Sequence, residues 1–546
     1  MTPTTFNIAD LWEAVATKVG DRPAVTEAAL TLSYRELDER ANRLAHVLTA
    51  QAVAPGDHVG VYLLNGIAYA EALLACFKIR AVPININYRY QHEELRYLFE
   101  DSDLIGLIAH REFQPSVVEA TVGNDKLRFV LSVDNLGEPT PVGTIDYAAA
   151  CAEASCDRPK VTRSNDDLYV LYTGGTTGMP KGVVWRQEDA FFSCIGAGDP
   201  MRLNGPITRP EEILDRVIDF DFTAFPLAPM MHAAAQWVSL SWWLCGARVV
   251  LHPGSFDALE VWKTIERERI STLIVVGDAM VRPLIDAWDT HGPFDVSSMF
   301  AIGSGGAPLT PSLKDRLMEI CPNAMLTDGF GSSETGAQGG QRLAAGERSG
   351  GATRFVPQND NTTVMTADGQ VVAPGSGEQG FVALTGRIPL GYYNAPEKTA
   401  ATFVERDGKR WVLTGDLATV ETDGTIALLG RGSQVINTGG EKVFPEEVEA
   451  VLKSHSAIYD AVVAGAPDER FGQQVCAVVA FRDGHDERLE GLVDFVRSQL
   501  AGYKVPRSMV VVDSVVRSPV GKPDYRWAQE VIAQATADGT LVSRGH

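Results

Sequence analysis

Cysteine is scarce in this chain, and basic residues are outnumbered by acidic ones. The 546 residues include 7 cysteines, none of them in a C-x-x-C pair. This excludes a disulfide scaffold and gives no sign of a structural zinc site. Lys and Arg together number 48 against 70 Asp and Glu, a net charge of −22, which argues against a nucleic-acid or anionic-membrane surface. We therefore expect a reduced, intracellular protein without a nucleic-acid partner.

The sequence also shows no hydropathy or charge pattern typical of a targeting or membrane-spanning segment. The N-terminal residues show no basic region followed by an apolar core, so we expect no secretion signal and a cytoplasmic location. The most apolar stretch, residues 233–251, has the length of a membrane span but contains Gln236 and Arg248. An arginine at that depth in lipid is costly. The stretch is therefore interpreted as a buried helix leading into a strand, with no membrane span.

The overall composition, with 45% hydrophobic and 22% charged residues, is that of an ordinary globular protein. The length is sufficient for several domains. Helical and strand patterns alternate through the first 160 residues and again at 271–306, which predicts parallel sheets covered by helices. After residue 431 the elements become shorter and form an α+β pattern. We predict an α/β fold with a large N-terminal domain of helix-covered β-sheets, residues 1–431, and a small α+β C-terminal domain, residues 432–546.

The strongest local signal is a loop rich in Gly and Thr between two strand-like runs. Its sequence from position 172 is YTGGTTGMPKG. Glycines let backbone N–H groups approach phosphate oxygens, and hydroxyl and ammonium groups add donors. A Walker A loop is excluded, because its lysine follows glycine and opens a helix. The candidate phosphate-binding residues are Thr173, Gly174, Gly175, Thr176, Thr177, Gly178 and Lys181.

This loop resembles the signature of the adenylate-forming superfamily, which contains acyl-CoA synthetases, adenylation domains and beetle luciferases. Further motifs follow in the family order: SGGAP (304–308), FGSSE (330–334), GYYN (391–394), WVLTGD (411–416), GR (430–431), GGEKVFP (439–445) and PVGK (519–522). The likeness covers about residues 170–525. Within the superfamily it is most similar to actinobacterial fatty-acid and sterol side-chain CoA ligases.

The resemblance implies that ATP adenylates a carboxylic acid and that coenzyme A then displaces AMP. It assigns Mg²⁺ to Glu334, the adenylation step to Lys522 and further catalytic roles to Thr177 and His232. The ribose contacts fall on Asp416 and Arg431. The remaining nucleotide- or thiol-side positions are Gly305, Gly306, Ala307, Asp328, Gly329, Phe330, Gly331, Ser333, Gly439 and Gly440.

The resemblance also implies that the C-terminal domain is mobile and rotates between the two half-reactions. Relatives commonly have Asp or Lys at the pivot, where this chain has Ser433 followed by Gln434. Phe330 in place of Tyr and Ser333 in place of Thr are milder departures, of which the serine keeps its hydroxyl. The hinge interactions are therefore left open.

The acyl pocket is expected to begin at PLAPMMH (226–232). Amino-acid-activating relatives have an Asp nearby, which this chain lacks, so an α-amino acid is disfavoured. Trp237, Trp242, Trp243 and Met231 indicate either a pocket for an apolar or aromatic acid or simple core packing, with equal weight. His232 either gates this pocket or makes a buried hydrogen bond.

Three alternatives stay open from the sequence. The acceptor can be a carrier protein instead of CoA, with some relatives stopping at acyl-AMP, or the substrate can be nitrite, as in diazo-forming enzymes. A non-catalytic binding protein is a third class, which the joint presence of Lys181, Glu334, Asp416, Arg431 and Lys522 disfavours. The partner is expected to be a small carboxylic acid. The oligomeric state is undetermined, with a homodimer as one expectation.

Overall fold

The fold is described by a computed structural model of the chain. The described residues are 2–175, 178–344, 347, 354–438, 441–468, 472–485, 488–518 and 521–543. For Arg431 and Ser433, the backbone is described but the side chain is not. Thr176, Thr177, Gly439 and Gly440, which the sequence assigned to the site, therefore lie outside the described residues.

Helices and strands alternate along most of the described chain. The helices are α1 Ile8–Lys18, α2 Tyr34–Ala50, α3 Ile67–Lys78, α4 His92–Asp101, α5 Gln114–Ala120, α6 Tyr147–Glu153, α7 Gln187–Ser193, α8 Ala233–Leu244, α9 Ala258–Glu268, α10 Gly277–His291, α11 Pro311–Ile320, α12 Pro396–Thr402, α13 Pro445–Ser454, α14 Leu489–Arg497 and α15 Tyr525–Ala537. Short 3₁₀ turns cover Arg111–Phe113, Gly196–Gly198, Pro210–Arg216, Gly432–Gln434 and Gly502–Lys504.

The strands of the N-terminal region are β1 Pro23–Glu27, β2 Leu30–Ser33, β3 His58–Tyr62, β4 Val82–Asn85, β5 Leu104–His110, β6 Phe129–Val133, β7 Ile145–Asp146, β8 Leu168–Gly175, β9 Gly178–Arg186, β10 Thr223–Pro226, β11 Arg248–Leu251, β12 Thr272–Val275, β13 Ala301–Gly305, β14 Met325–Ser332, β15 Gly336–Leu343, β16 Arg354–Pro357, β17 Thr362–Met365, β18 Gly380–Thr385, β19 Gly391–Tyr392, β20 Phe403–Arg406, β21 Lys409–Val420 and β22 Ile426–Arg431. Those that follow are β23 Ile436–Thr438, β24 Glu441–Val443, β25 Ile458–Asp468, β26 Gly472–Phe481, β27 Ser508–Val511 and β28 Val542–Ser543.

The largest sheet combines a parallel half with an antiparallel half. Strands β11, β10, β12, β13 and β14 are neighbours and run parallel, joined by helices α8 to α11. From β14 the sheet continues antiparallel through β15, β16, β22, β21, β18 and β17. The helix–strand alternation predicted the parallel half. It did not predict the antiparallel half, where mostly short connections replace crossover helices.

A second sheet has the order β19-β9-β8-β4-β3-β5-β6-β7 and is parallel from β8 to β7. Its edge at β8 and β9 forms an antiparallel hairpin that carries the Gly/Thr-rich loop. The largest core cluster packs the helices of both sheets together. Trp12 of α1 stacks on Tyr34 of α2 at 5.3 Å, and the edge of Trp243 meets Trp12 at 6.2 Å.

Every strand of the third sheet lies beyond residue 431, in the order β24-β23-β26-β27-β28, with β25 paired to β26. Leu452 of α13 and Leu492 of α14 belong to the core on one face of this sheet. Ile532 of α15 belongs to a separate core on the other face. A mixed α/β chain with a small C-terminal unit confirms the predicted fold class.

The apolar stretch at residues 233–251 folds as predicted into the buried helix α8 followed by the strand β11. Arg248 pairs with Glu268 at 2.8 Å instead of facing lipid. Among the described residues, none of the helices combines the length and the hydropathy that crossing a membrane requires.

Candidate active site

One cavity of about 1380 Å³ is bordered by part of the residue set that the sequence assigned to the site, whereas Lys181, Glu334 and Asp416 are outside its lining. Thr173 and Gly174 of the β8 hairpin border it, as do Gly305, Gly306, Gly329 and Phe330 at the ends of β13 and in β14. Gly331, Ser333, His232 and Lys522 complete this set. Residues separated by up to 349 positions in the sequence therefore meet around a single space.

The phosphate hairpin is closed by direct strand pairing. Thr173 lies opposite Lys181, and Gly175 lies opposite Gly178, across a shift in register. Gly182 is required here by close packing, because a Cβ atom would lie 2.7 Å from the ring of Tyr172. The two strands of the hairpin are thus paired as far as Gly175 and Gly178.

Lys181 and Glu334 meet at Tyr392 instead of at each other. The Lys181 ammonium lies 5.0 Å from the centroid of the Tyr392 ring, a distance typical of a cation–π contact. The Tyr392 hydroxyl donates to Glu334 Oε1 at 2.9 Å. Tyr392 of the GYYN motif therefore contacts both ionic groups.

The adenine-side loops lie on neighbouring parallel strands. Ser304 pairs with Asp328 and Gly305 with Gly329 in the β13–β14 ladder. Added Cβ atoms at Gly305 and Gly329 would each come within 3.4 Å of a carbonyl oxygen on the other strand. Gly306 has a φ of +80°, a conformation that favours glycine. The chain thus leaves a flat backbone surface on which a planar base can lie.

Phe330 owes its position to packing. Its ring stacks on Phe355 with centroids 4.5 Å apart. Phe330, which the motif comparison gave in place of Tyr, therefore has an aromatic packing partner.

Two further predicted residues of this region are engaged in contacts with other parts of the chain. The Asp328 carboxylate pairs with Lys314 of α11 at 2.7 Å, and burial raises the pKa of Asp328 although Lys314 opposes that rise. Ala307 lies beside the cavity-lining Gly306, and its carbonyl packs towards Gly277. Neither residue is among those that line the cavity.

Asp416 and Arg431 are brought together by strand register. They are directly opposed in the antiparallel β21–β22 pair. Gly415 next to Asp416 has a φ of +79° within β21, a backbone conformation that favours glycine. A carboxylate and a guanidinium thus start from adjacent backbone positions, as two contacts to one ribose would require.

Lys522 reaches the cavity from the third sheet on an anchored loop. Arg517 forms a bidentate pair with Asp460, at 2.6 and 2.7 Å, and donates to the Gly521 carbonyl at 3.0 Å. The Lys522 amide donates to Ser518 Oγ at 3.1 Å. Gly521 has a φ of +73°, and a Cβ there would lie 2.8 Å from Ala279 Cβ. The glycine therefore lets the loop approach α10 closely.

His232 is a buried, neutral imidazole at the start of α8. Its Nε2 has no hydrogen-bond partner among the described residues. Burial, with smaller effects from the charges of Arg89 and Lys522, lowers the pKa of His232 to about 3. The imidazole is thus neutral near pH 7, and His232 lines the cavity.

Asn85 positions His232 and was not found from the sequence. Its side-chain amide donates to the carbonyls of Tyr172 and Met231, at 2.8 and 2.6 Å, and accepts from the Tyr172 amide at 2.7 Å. This ties the phosphate hairpin to the loop preceding His232. The available signal was a polar residue at the end of the apolar strand VPIN.

The tryptophans divide between pocket and core. Trp237 and Trp242 line the cavity, and Trp242 stacks on Phe222 at 4.4 Å. Trp243 is fully buried and donates to the Ala24 carbonyl at 2.9 Å, and Met231 is also buried. Of the two interpretations left open, the apolar pocket holds for Trp237 and Trp242, and core packing holds for the other two.

The depressed histidine pKa values predict an acid-sensitive fold. Burial lowers the pKa of His110 to about 4, and His232 lies near 3, against 6.5 in the unfolded chain. Between pH 6.5 and 4 the unfolded chain binds more protons, so the free energy of unfolding falls as pH falls. We expect it to be about 2 kcal/mol lower at pH 5.5 than at pH 7.5.

Urea denaturation at the two pH values measures this difference. In the His110→Gln/His232→Gln double variant the pH difference should shrink, because neither side chain titrates. An unchanged difference in that variant would assign the pH dependence to other groups.

Comparisons with known proteins agree with this geometry. Residues 12–393 match the family model described as AMP-binding enzyme, and residues 447–522 match that of the AMP-binding enzyme C-terminal domain. The 3-oxocholest-4-en-26-oate–CoA ligase of Rhodococcus rhodochrous is 45% identical, over 98% of this chain and 97% of its own length. The medium/long-chain-fatty-acid–CoA/3-oxocholest-4-en-26-oate–CoA ligase of Mycobacterium tuberculosis is 44% identical, over 99% and 98%.

Among solved structures, the anthranilate CoA ligase AuaEII in complex with anthranoyl-AMP is similar with a TM-score of 0.85. It shares 22% identity over 98% of this chain and 99% of its own, which supports the fold. The family matches confirm the resemblance that the motifs indicated. The chain belongs to the AMP-binding enzyme family, and in its fold the Gly/Thr-rich hairpin, the glycines of β13 and β14 and the loop of Lys522 border one cavity.

Proposed function

We propose that the protein is an ATP- and Mg²⁺-dependent carboxylate–CoA ligase that proceeds through an acyl-AMP intermediate. The observation that carries this proposal is the position of Lys522. Its loop, from the third sheet, borders the same cavity as Thr173, Gly305 and His232. Similarity to CoA ligases over nearly the full length of the chain supports the choice of acceptor.

The residues divide the adenylation step among them. A carboxylate oxygen of the acid attacks the α-phosphorus of ATP, and the bond to pyrophosphate breaks. Lys522 supplies a compact cation between the incoming carboxylate and the α-phosphate oxygens. The neutral His232 adds no charge of its own to this step. In the second step the CoA sulfur attacks the acyl carbon and AMP departs.

Glu334 suits the proposed Mg²⁺ site. Tyr392 orients one of its oxygens, and Mg²⁺ is commonly bound by one or two carboxylates together with substrate phosphates and water. No cluster of three or more potential metal-ligating side chains occurs in the described part of the chain, which agrees with a site completed by phosphate. When bound, the ion would neutralise charge on the phosphates.

The acid is proposed to be long and largely apolar. Trp237, Val238, Trp242 and Met280 line the cavity, and an apolar wall favours hydrocarbon over charged groups. The names of the similar ligases mention sterol-derived and medium- to long-chain fatty acids. We place this chain in the same substrate class.

The domain assignment is part of the proposal. A boundary after residue 431 would leave the whole third sheet in a C-terminal domain of residues 432–546 that moves relative to the rest. The cavity-lining Gln434 lies immediately beyond that boundary. A cytoplasmic location and a homodimer stay predictions.

Pyrophosphate release tests the proposal. Purified protein is assayed with ATP and Mg²⁺ against fatty, aromatic, amino-aromatic and sterol-derived acids, each with and without CoA, and against nitrite. We expect release to require a fatty or sterol-derived acid and to increase several-fold with CoA, together with formation of AMP and an acyl-CoA product.

Two outcomes would contradict this function. Release that does not respond to CoA would keep the adenylation chemistry but indicate another acceptor, such as a carrier protein. Release that requires nitrite would indicate a diazo-forming enzyme. ATP binding without turnover for every acid would favour a binding protein.

A further inference from the structure

Arg202 has no ionic partner although it borders the cavity of the proposed active site. Its side chain makes no hydrogen bond or ion pair with any described residue and lines the cavity with Met201 and Trp242. Burial, and secondarily the charge of Arg342, lowers the pKa of Arg202. Its surface is accessible although protein surrounds it, as expected of a side chain that faces an internal space.

The carboxylate of Asp199 attracts Arg202 but forms no ion pair with it. Asp199 accepts from the backbone amides of Asn204 and Gly205, at 2.6 and 2.8 Å. The second guanidinium, Arg342, also lines the cavity and donates to the Met201 carbonyl at 2.8 Å. Two like charges thus lie near each other beside the cavity, and an oxygen acceptor bound there would receive a charge-assisted hydrogen bond from Arg202.

The backbone holds Arg202 in an unusual conformation. Its φ is +56°, which costs a non-glycine residue free energy and is concentrated at functional sites. The Arg202 amide donates to the Asp199 carbonyl at 2.9 Å, and Ile207 donates to the Ala197 carbonyl at 3.0 Å. The turn at residues 197–207 is therefore fixed by its own hydrogen bonds, and the arginine is presented on a rigid support.

The position of Arg342 along β15 places both arginines far from Glu334 and from the end of the cavity where the acid would be activated. Gly336, Ala337, Gly339 and Arg342 all border the cavity, so the cavity follows this strand. Arg342 lies six residues beyond Gly336, which adjoins the turn that carries Glu334. At about 3.4 Å per residue the separation along the strand is about 20 Å, which a long fatty acid or a sterol-derived acid can span.

We propose that Arg202 is a specificity-determining residue that binds an oxygen acceptor, a ketone or a carboxylate, at the end of the acid remote from the activated carboxylate. Arg342 supports it by holding the backbone at Met201. This inference rests on the proposed ligase function and adds a polar group to its otherwise apolar substrate class.

Matched pairs of acids test the inference. One pair is 3-oxocholest-4-en-26-oate and cholest-4-en-26-oate, and the other is hexadecanedioate and hexadecanoate. In Arg202→Met, kcat/KM for the oxygen-bearing acid of at least one pair should fall about 10- to 100-fold, since a hydrogen bond from a charged donor is lost. The hydrocarbon-ended partner should change less than about threefold, and Arg202→Lys should restore part of the loss.

Arg209→Met is the control, because Arg209 lies in the same segment but pairs with Glu212 at 3.0 Å and is outside the cavity lining. It should leave both ratios unchanged, and melting temperatures confirm that all variants fold. A loss confined to the sterol pair identifies a ketone, and a loss confined to the diacid pair identifies a carboxylate.

Equal losses for both members of each pair, or no loss for either oxygen-bearing acid, would overturn the inference. If wild-type protein turns over none of these acids, the ligase proposal fails for them. Calorimetric binding of the same pairs in the presence of AMP then decides the role of Arg202 by the same comparison.

Discussion

Replacing Lys522 by alanine is expected to reduce acid-dependent pyrophosphate release by about 10²- to 10⁴-fold, because a preorganised cation at the α-phosphate is removed. Conversion of supplied acyl-AMP and CoA into acyl-CoA should change less than about threefold. In that step the CoA sulfur attacks the acyl carbon, so no nucleophile adds to the α-phosphate. Single-turnover assays of the two half-reactions measure these effects separately.

The exposed Lys263 of α9 provides a matched control. Lys263→Ala removes the same side chain away from the cavity and should leave both half-reactions unchanged. Equal loss of both half-reactions in Lys522→Ala, with a wild-type melting temperature, would contradict the assignment of Lys522 to adenylation.

Replacing Lys453 by methionine is expected to slow adenylation about 100-fold. The variant would destabilise the domain arrangement in which adenylation occurs, without altering a group that reacts. Lys453 of α13 pairs with Asp278 of α10 at 2.8 Å, and both side chains are at most 5% exposed. Burial alone would raise the pKa of Asp278, but Lys453 lowers it overall. Removing one partner of such a pair typically costs about 3–5 kcal/mol, because a charge stays buried without compensation.

The loss of this ion pair destabilises the domain arrangement in which Lys522 lies in the cavity. If the C-terminal domain rotates away for the second half-reaction, Asp278 regains water and the cost disappears. The Lys453→Met variant should therefore lose adenylation while keeping thioester formation from supplied acyl-AMP. The two half-reactions, measured by single-turnover quenched flow, distinguish this from a general loss of folding.

A double variant sharpens the test. Asp278→Asn/Lys453→Met removes both charges and keeps an acceptor for the Thr310 amide, which donates to Asp278 at 2.7 Å, so adenylation should largely recover. Arg482→Met breaks a half-exposed pair with Asp286, 3.4 Å apart, and should cost less than about threefold. Failure of the double variant to recover would show that Lys453 acts otherwise than through this pair.

The part of the site that could be predicted consists of residues with a local signature. Glu334, Asp416 and Lys522 each stand in a short motif whose spacing is fixed by one turn, and a turn is specified by its own residues. Asn85, Tyr392 and the Arg517–Asp460 anchor act on partners at a distance of 57 to 146 positions. Their local sequences carry no sign of those partners.

Asp328 is a residue whose contacts the local sequence did not predict. The family resemblance assigned it to the nucleotide side, and only the structure shows that its carboxylate pairs with Lys314 of α11. The division of the tryptophans likewise depended on what packs against each face of α8. Sequence periodicity assigns a residue to a face but does not specify what that face meets.

By itself, the sequence determined the chemistry and the order of the elements. Helix–strand alternation, the Gly/Thr-rich hairpin and the C-terminal lysine loop follow from propensity, turn residues and local spacing, which act over a few residues. Tertiary structure alone decided that Lys522 enters the cavity, that His232 is neutral, and that Arg202 is left without a partner. Burial and electrostatic energy depend on every group within several ångströms, and folding selects those neighbours from distant parts of the chain.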